Sequence, residues 1–540
     1  MARVRDAVGP QSPSAWLAIA GALVLMLWPA LLNGFPIVFF DTGGYIEAAA
    51  LHRLVEGRSL AYGLFLQATS LDWRTLWGPV VAQSALTLWL LRLVRGGLAP
   101  SVLHRWPATL ALVLFLSLGT GMAWYTAQLM PDLTVPWVVA TLWLLAFRWP
   151  WLPWPTRLGV GALGLFSLLS HMSGMALGMG LVGFLVVMKA AGSIARPRSW
   201  RALRLLPPAA MVAGGVLALP LLNGAVTGEA RLTPGGPMFL FGSLLQQGHV
   251  RQLLEERCAD DPHAYALCRH RHHLPTTADE FLWSEESPLV ALGGWQAMTA
   301  EAARVNAAIM RRYPLALAGT SLQAGVEQFF RVQTGDGLDE YHGSTREMVH
   351  QFLPGLESAY LKADQQNDGP TPGMADLFNY LTVPLAYIAL AALAALIPQA
   401  VRQRDGAALG ALLFLLAALA GNALICGALS NPHDRYQNRL VWLAPLFALA
   451  VNSRLRAGAG VEEDAEPTVR VPALVALALP GANAPPRRRW PRIARPRTAR
   501  PRPLDVTGLG RAAAPPTDDL TASPLAALTL APEQPPASQP

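Results

Sequence analysis

Charge is what this sequence has least of. Only 14% of its 540 residues are Asp, Glu, Lys or Arg, while 52% are hydrophobic; an ordinary soluble chain carries about 25% charged residues. Several apolar runs reach the roughly 20 residues that cross a bilayer as a helix. Period-2 alternation is missing from these Leu/Ala-rich runs, which excludes a β-barrel. Cysteine is scarce too, with three in all. Cys426 sits in an apolar run and reads as inert. Cys258 and Cys268 lie ten residues apart in a hydrophilic region, and would pair if that region faces an oxidising compartment. There is no Walker A sequence, no GxGxxG after a strand, and no cytoplasmic region large enough for nucleotide chemistry. Asp260-Asp261 is not a DxD motif. No internal repeat is evident, which counts against an inverted-repeat transporter. The net charge of +7 lies largely in short loops and the C-terminal tail, so it reads as topology and lipid-surface charge, with no nucleic-acid partner.

What is present is an all-α polytopic membrane protein of about ten transmembrane helices. Residues 1–223 form an N-terminal module of about seven spans. Its first span, 14–32, follows Arg3 and Arg5 and is followed by no small-residue cleavage site, so it reads as a signal anchor with a cytoplasmic N-terminus. Further spans are expected at about 76–92, 107–125 and 133–147, with short interfacial helices over 42–74. The run 158–188 is too long for one upright helix and is interrupted at Ser170-His171, so it divides in two. That division puts Lys189, Arg196, Arg198, Arg201 and Arg204 on the cytoplasmic side with Arg92, Arg95, His104, Arg105 and Arg148. A seventh span covers about 205–223. Residues 224–375 form a hydrophilic, non-cytoplasmic, mostly helical insertion, in which 314–330 is amphipathic and suited to a membrane surface. Three more spans (about 376–398, 407–428 and 440–452) make the C-terminal module. Residues 453–540, with a basic run at 486–502, read as a disordered cytoplasmic tail. The expected location is the inner (plasma) membrane.

This topology gathers four polar clusters on the non-cytoplasmic side, each near the end of a span: Asp41, Asp132, His171, and the stretch 433–439. Ionisable groups at such depth are costly and generally serve a site or a path. Asp41 is followed by Thr42, Gly43, Gly44 and Tyr45, and the two glycines suggest a tight turn that lets a ligand approach the backbone. A helix cap is the alternative for Asp41 and Asp132, and a hydrogen-bonded turn residue for His171. Arg435 and Arg439 depart from the positive-inside pattern, so something negative should meet them, and phosphate suits arginine. The His270, His272 and His273 cluster lacks a second ligand set and reads as solvated surface.

Phe-Phe-Asp41-Thr-Gly-Gly-Tyr after the first span, Met-Pro-Asp132 at the next non-cytoplasmic loop, and His433-Asp-Arg435-Tyr436 before a late span together resemble the GT-C superfamily of integral-membrane glycosyltransferases. The resemblance implies a polyprenyl-phosphate-linked sugar donor and a glycan, lipid or protein acceptor. It implies Asp41 as catalytic base, Asp132 orienting the acceptor or holding a divalent cation, and no other cofactor. Arg435 would meet the donor phosphate with His171 and Arg439, and Tyr45, His433 and Tyr436 would line the substrate site. A transporter or flippase of lipid-linked substrates, or a polymerase or ligase of lipid-linked glycans, would use the same groups. Polar clusters confined to one face favour chemistry there over a path across the membrane.

Overall fold

Apolar runs of this kind have one economical way to satisfy their backbone in lipid, the helix. Among the described residues the fold is helical throughout, and the only strand-like pairing is an isolated bridge between Ile37 and Gln128. The computed structural model describes residues 13–99, 106–195, 198–232, 235–341, 343–367 and 369–458. They belong to one compact unit that ends at Thr468; a second, Val469–Pro540, lies outside the described residues. Outside them as well are Arg3, Arg5, His104, Arg105, Arg196 and nearly all of the tail.

Helix α1 (Pro13–Asn33) leads into a loop and the short helices α2 (Thr42–Ala50) and α3 (Leu60–Thr69). Then come α4 (Trp77–Leu98), α5 (Trp106–Gly119), α6 (Met122–Ala127) and α7 (Thr134–Phe147). Helices α8 (Trp154–Ser170) and α9 (Met172–Ala195) are separated by His171 alone, whose extended backbone breaks the run. The short α10 (Arg198–Arg201) precedes α11 (Leu206–Thr227). Six helical stretches are long and apolar enough to cross a membrane: Pro13–Asn33, Trp77–Leu98, Met172–Ser193, Ser199–Thr227, Pro370–Arg402 and Gly406–Leu429.

The other four expected spans are shorter helices. The clearest case is α7, with 14 residues, about 21 Å of helix, against a hydrocarbon layer of about 30 Å. Every residue from Thr134 to Ala146 is buried, so α7 is enclosed by other helices and is hydrophobic all round for that reason. A helix that meets no lipid need not match the lipid's thickness.

The hydrophilic region 224–375 divides in two. Helices α12 (Gly236–Gln246), α13 (His249–Asp260), α14 (Ala278–Trp283), α15 (Pro288–Ala291) and α16 (Gly294–Arg312) close around their own apolar core, which includes Phe241, Leu254, Phe281 and Ile309. Cys258 and Cys268 are joined by a disulfide within it. Helix α17 (Pro314–Phe330), the amphipathic stretch, packs along a membrane-length helix, α21 (Gly406–Leu429). Its outer face shows Leu315, Leu322, Val326 and Phe330.

The second part, with α18 (Ser344–Phe352) and α19 (Pro354–Leu361), joins the first loop in a separate core containing Phe35, Tyr45, Val349 and Tyr360. Gln365 is the clamp. Its side chain accepts from the Val38 N–H at 3.1 Å and donates to the Val38 carbonyl at 2.9 Å, and its own N–H donates to Asn33 Oδ1 at 2.7 Å.

Helix α20 (Pro370–Arg402) and α21 are followed by α22 (Asp434–Val441) and α23 (Leu443–Arg456). The basic helix ends meet at one end of the bundle. Arg454 pairs with Asp405 at 2.7 Å, the Trp200 indole N–H donates to the Gly406 carbonyl, and the Arg204 N–H donates to the Ala146 carbonyl.

Two helices touch backbone to backbone at Gly427. A Cβ there would come within 2.5 Å of the Ala324 carbonyl oxygen on α17. Gly427→Ala should therefore lower the thermal unfolding midpoint in detergent, by the equivalent of about 1–3 kcal/mol. Gly183→Ala on α9, where a Cβ meets nothing within 4 Å, should leave it unchanged or slightly higher.

Candidate functional site

The end of the bundle opposite those cations is where the four polar clusters go. Asp41, Asp132, His171 and the 433–439 stretch all line a single cavity of about 750 Å³. The helix ends explain this: α7 and α9 begin there, α8 and α21 end there, and α22 runs beneath it. Tyr45, His433, Arg435, Tyr436 and Arg439 line the same space.

Its base is a buried ion pair. Arg439 is fully buried on α22 and binds Asp132 Oδ1 at 2.8 Å. The same guanidinium donates to His171 Nε2 at 2.9 Å and to Ser173 Oγ at 2.8 Å. An arginine can only donate, so His171 accepts through Nε2; its Nδ1 accepts from the Ser173 N–H at 3.3 Å and lies 3.0 Å from Ser173 Oγ. Asp132 therefore caps no helix: it sits in a 3-10 turn with no capping bond, and its carboxylate is spent on Arg439.

Asp41 occupies the N-cap position of α2, yet its side chain makes no capping bond. Instead its carboxylate pairs with the buried Arg58 at 2.5 Å and has no other side-chain partner among the described residues. The glycines behind it are not in a tight turn. Both lie in the first turn of α2, and they are needed for close packing: a Cβ on Gly43 would meet Thr345 Cα at 2.8 Å, and one on Gly44 the Arg58 side chain at 2.9 Å. Tyr45 is buried, edge-on to Tyr62.

Arg435 differs from Arg439 in having no carboxylate at ion-pair distance among the described residues. Its guanidinium lies 4.2 Å from the centre of the Phe39 ring, and its Nη2 donates to the Tyr436 hydroxyl at 3.2 Å. Its Nη1 is out of contact with solvent and has no hydrogen-bond partner among the described residues. A buried guanidinium nitrogen without an acceptor is costly.

The insertion contributes groups that the sequence reading did not single out. Asp279 on α14 and Asp336 flank His433, at 3.1 and 3.4 Å. The Arg435 N–H also donates to Asp336 at 3.1 Å. Gln328 of α17 grips the His433 backbone from both sides, at 2.9 and 2.7 Å. Burial alone would lower the His433 pKa, but hydrogen bonds to Asp279 and Asp336 outweigh it and raise it to about 10. Burial would raise Asp336, and the bonds from His433 and the Arg435 backbone outweigh that and hold it near about 2. The opposite wall is apolar, made by Met172, Ala176, Leu219, Ile425 and Leu429 from helices of membrane-crossing length. Among the described residues no three His, Cys, Asp or Glu side chains are grouped to hold a metal ion, and the histidines at 270, 272 and 273 join no such group. No protein-family model, characterised protein or solved structure matches the chain.

Two outcomes follow from these pairs. Asp132→Ala should cost about 3–5 kcal/mol by stranding a buried charge, and adding Arg439→Met should recover much of it; thermal unfolding of the single and double variants checks this. His433 binds its proton more tightly folded than unfolded, where its pKa is about 6.5. Its contribution is complete below about 6.5 and is lost as pH rises through about 10. The unfolding midpoint should thus decline over that range in the wild type, and the decline should be smaller in His433→Gln. The Asp336 contribution is lost only as pH falls through about 2.

Proposed function

We propose that this chain is an integral-membrane glycosyltransferase of GT-C type, moving a sugar from a polyprenyl-phosphate donor to an acceptor hydroxyl. The observation that carries the reading is one cavity shared by an acid, a guanidinium with no carboxylate partner among the described residues, and an apolar wall of membrane-length helices. These three suit the three parts of the donor reaction: a proton to remove, a phosphate to receive, and a lipid chain to accommodate. With the shorter apolar helices α5, α7, α8 and α23 counted as passes, the chain crosses ten times. Both termini are then cytoplasmic and the site faces the periplasm from the inner membrane.

In this reading the donor phosphate lies against Arg435 Nη1. The Asp41 carboxylate, oriented by Arg58, takes the proton of the acceptor hydroxyl as its oxygen attacks the anomeric carbon. The bond from that carbon to the phosphate oxygen breaks, its electrons leave with the phosphate, and Arg435 stabilises the growing charge. Attack opposite the leaving group inverts the anomeric configuration. Asp132 and His171 act through Arg439 as positioning groups, because its Nη1 is shared between them. His433, between Asp279 and Asp336, holds the insertion over the site.

The test uses radiolabelled polyprenyl-phosphate sugars with purified protein. Asp41→Asn should lower transfer by about 100-fold or more while donor binding is retained. Arg435→Ala should lose donor binding. Lipid movement across liposomes without sugar transfer, unchanged by Asp41→Asn, would contradict the proposal and favour transport.

A further inference from the structure

Phe39 and Phe40, consecutive in the first loop, both approach Tyr341, Phe39 at 6.0 Å, but otherwise meet different groups. The Phe39 ring carries the Arg435 guanidinium, on the phosphate side. The Phe40 ring stands 6.1 Å from Trp283 and 6.4 Å from Tyr341. Arg58, the partner of Asp41, lies 5.3 Å over Trp283. Asp41 thus stands at the boundary between an anion-binding half and an aromatic half.

The donor reaction uses the aromatic half only through Arg58, which orients Asp41. Trp283 ends α14 and is braced from behind by Trp295, 5.1 Å away, and Phe239, 6.2 Å away. The Trp295 indole N–H donates to the Leu282 carbonyl at 3.3 Å and fixes the brace. Despite this support, Trp283 remains 39% exposed and Phe40 45% exposed. The Trp283 indole N–H and the Asp339 carboxylate have no partner among the described residues, and both residues line the cavity.

A braced aromatic ring that lines the same cavity as an uncommitted acceptor and donor suits one ligand class well. The axial C–H groups of a pyranose ring lie against the π-face, and its hydroxyls bond to the carboxylate and the indole N–H. An alkyl chain would leave both polar groups unanswered. A peptide strand would need a free strand edge, and the described residues offer none here.

We infer that this half is a carbohydrate subsite, with Trp283 as its platform, and that the acceptor is a glycan. The identification as acceptor rests on the transfer reading above; the subsite itself does not. The test uses the full chain in nanodiscs, with fluorescent maltotriose, cellotriose, mannotriose and chitotriose as probes, beside undecaprenyl phosphate. At least one trisaccharide should bind. Trp283→Ala should weaken it by about tenfold or more, while Trp283→Phe stays within about threefold of wild type. Undecaprenyl phosphate binding should be unchanged in both variants. The inference is overturned if wild type binds undecaprenyl phosphate but none of the trisaccharides, or if Trp283→Ala binds them as wild type does. Trisaccharide binding without undecaprenyl phosphate binding would uphold the subsite and contradict the transfer reading. Binding of neither would overturn both.

Discussion

A charge placed deep in a helix bundle must be answered, and the Asp132–Arg439 pair is the answer around which this molecule is arranged. Arg439 is fully buried, so the turn before α7 and the helix α22 are held in one register across 307 residues of sequence. From the same guanidinium the arrangement spreads to His171 and Ser173, at the break between α8 and α9. Asn422 of α21 completes the network by donating to the Tyr436 carbonyl at 2.7 Å and to Gln437 at 2.9 Å. Four helix ends are thereby fixed at the floor of the cavity. Exchanging such a pair for apolar groups need not destabilise a fold, whereas removing one partner does. What the pair supplies here is position.

Arg439 is paired with Asp132, whereas Arg435 one turn earlier has no carboxylate partner among the described residues. The difference between the two arginines is local. Arg439 faces an acid on a neighbouring element, whereas Arg435 is held by the Phe39 ring and the Tyr436 hydroxyl, neither of which neutralises it. Asp41 has its own cation, Arg58, so the acid and the free guanidinium are not spent on each other. The insertion then closes the space from above through His433, and the first loop is pinned by Gln365 and by the approach of α18 to Gly43.

Much of this was legible in the sequence. The apolar runs gave a helical membrane chain, the interruption at His171 fell where two helices meet, and the basic residues marked one end of the bundle. Asp41, Asp132, His171 and the 433–439 stretch stood out because ionised groups contrast with the apolar runs beside them. The span count was less legible, since apolarity reports exclusion from water and does not separate lipid from protein surroundings. That is why α7 reads as a span by composition although it is enclosed on all sides. Asp279, Asp336, Asp339 and Trp283 were not legible as a site, because polar residues in a polar region carry no contrast and their partners lie far away in sequence. Faint signals existed. Asp336 is bracketed by Gly335 and Gly337, both in left-handed backbone, and Arg58 is a cation in the same stretch between the first two spans as Asp41.

The central claim is that an anionic lipid-linked sugar sits between Arg435 and Asp41. Cryo-electron microscopy of the chain in nanodiscs with a non-transferable polyprenyl-phosphate sugar analogue tests it most directly. The account predicts the phosphate within hydrogen-bond reach of Arg435 Nη1, the sugar's anomeric carbon facing the Asp41 carboxylate, and the lipid chain along Met172, Leu219 and Ile425. A phosphate bound away from Arg435, or a lipid threaded toward the Asp405–Arg454 end of the bundle, would contradict it.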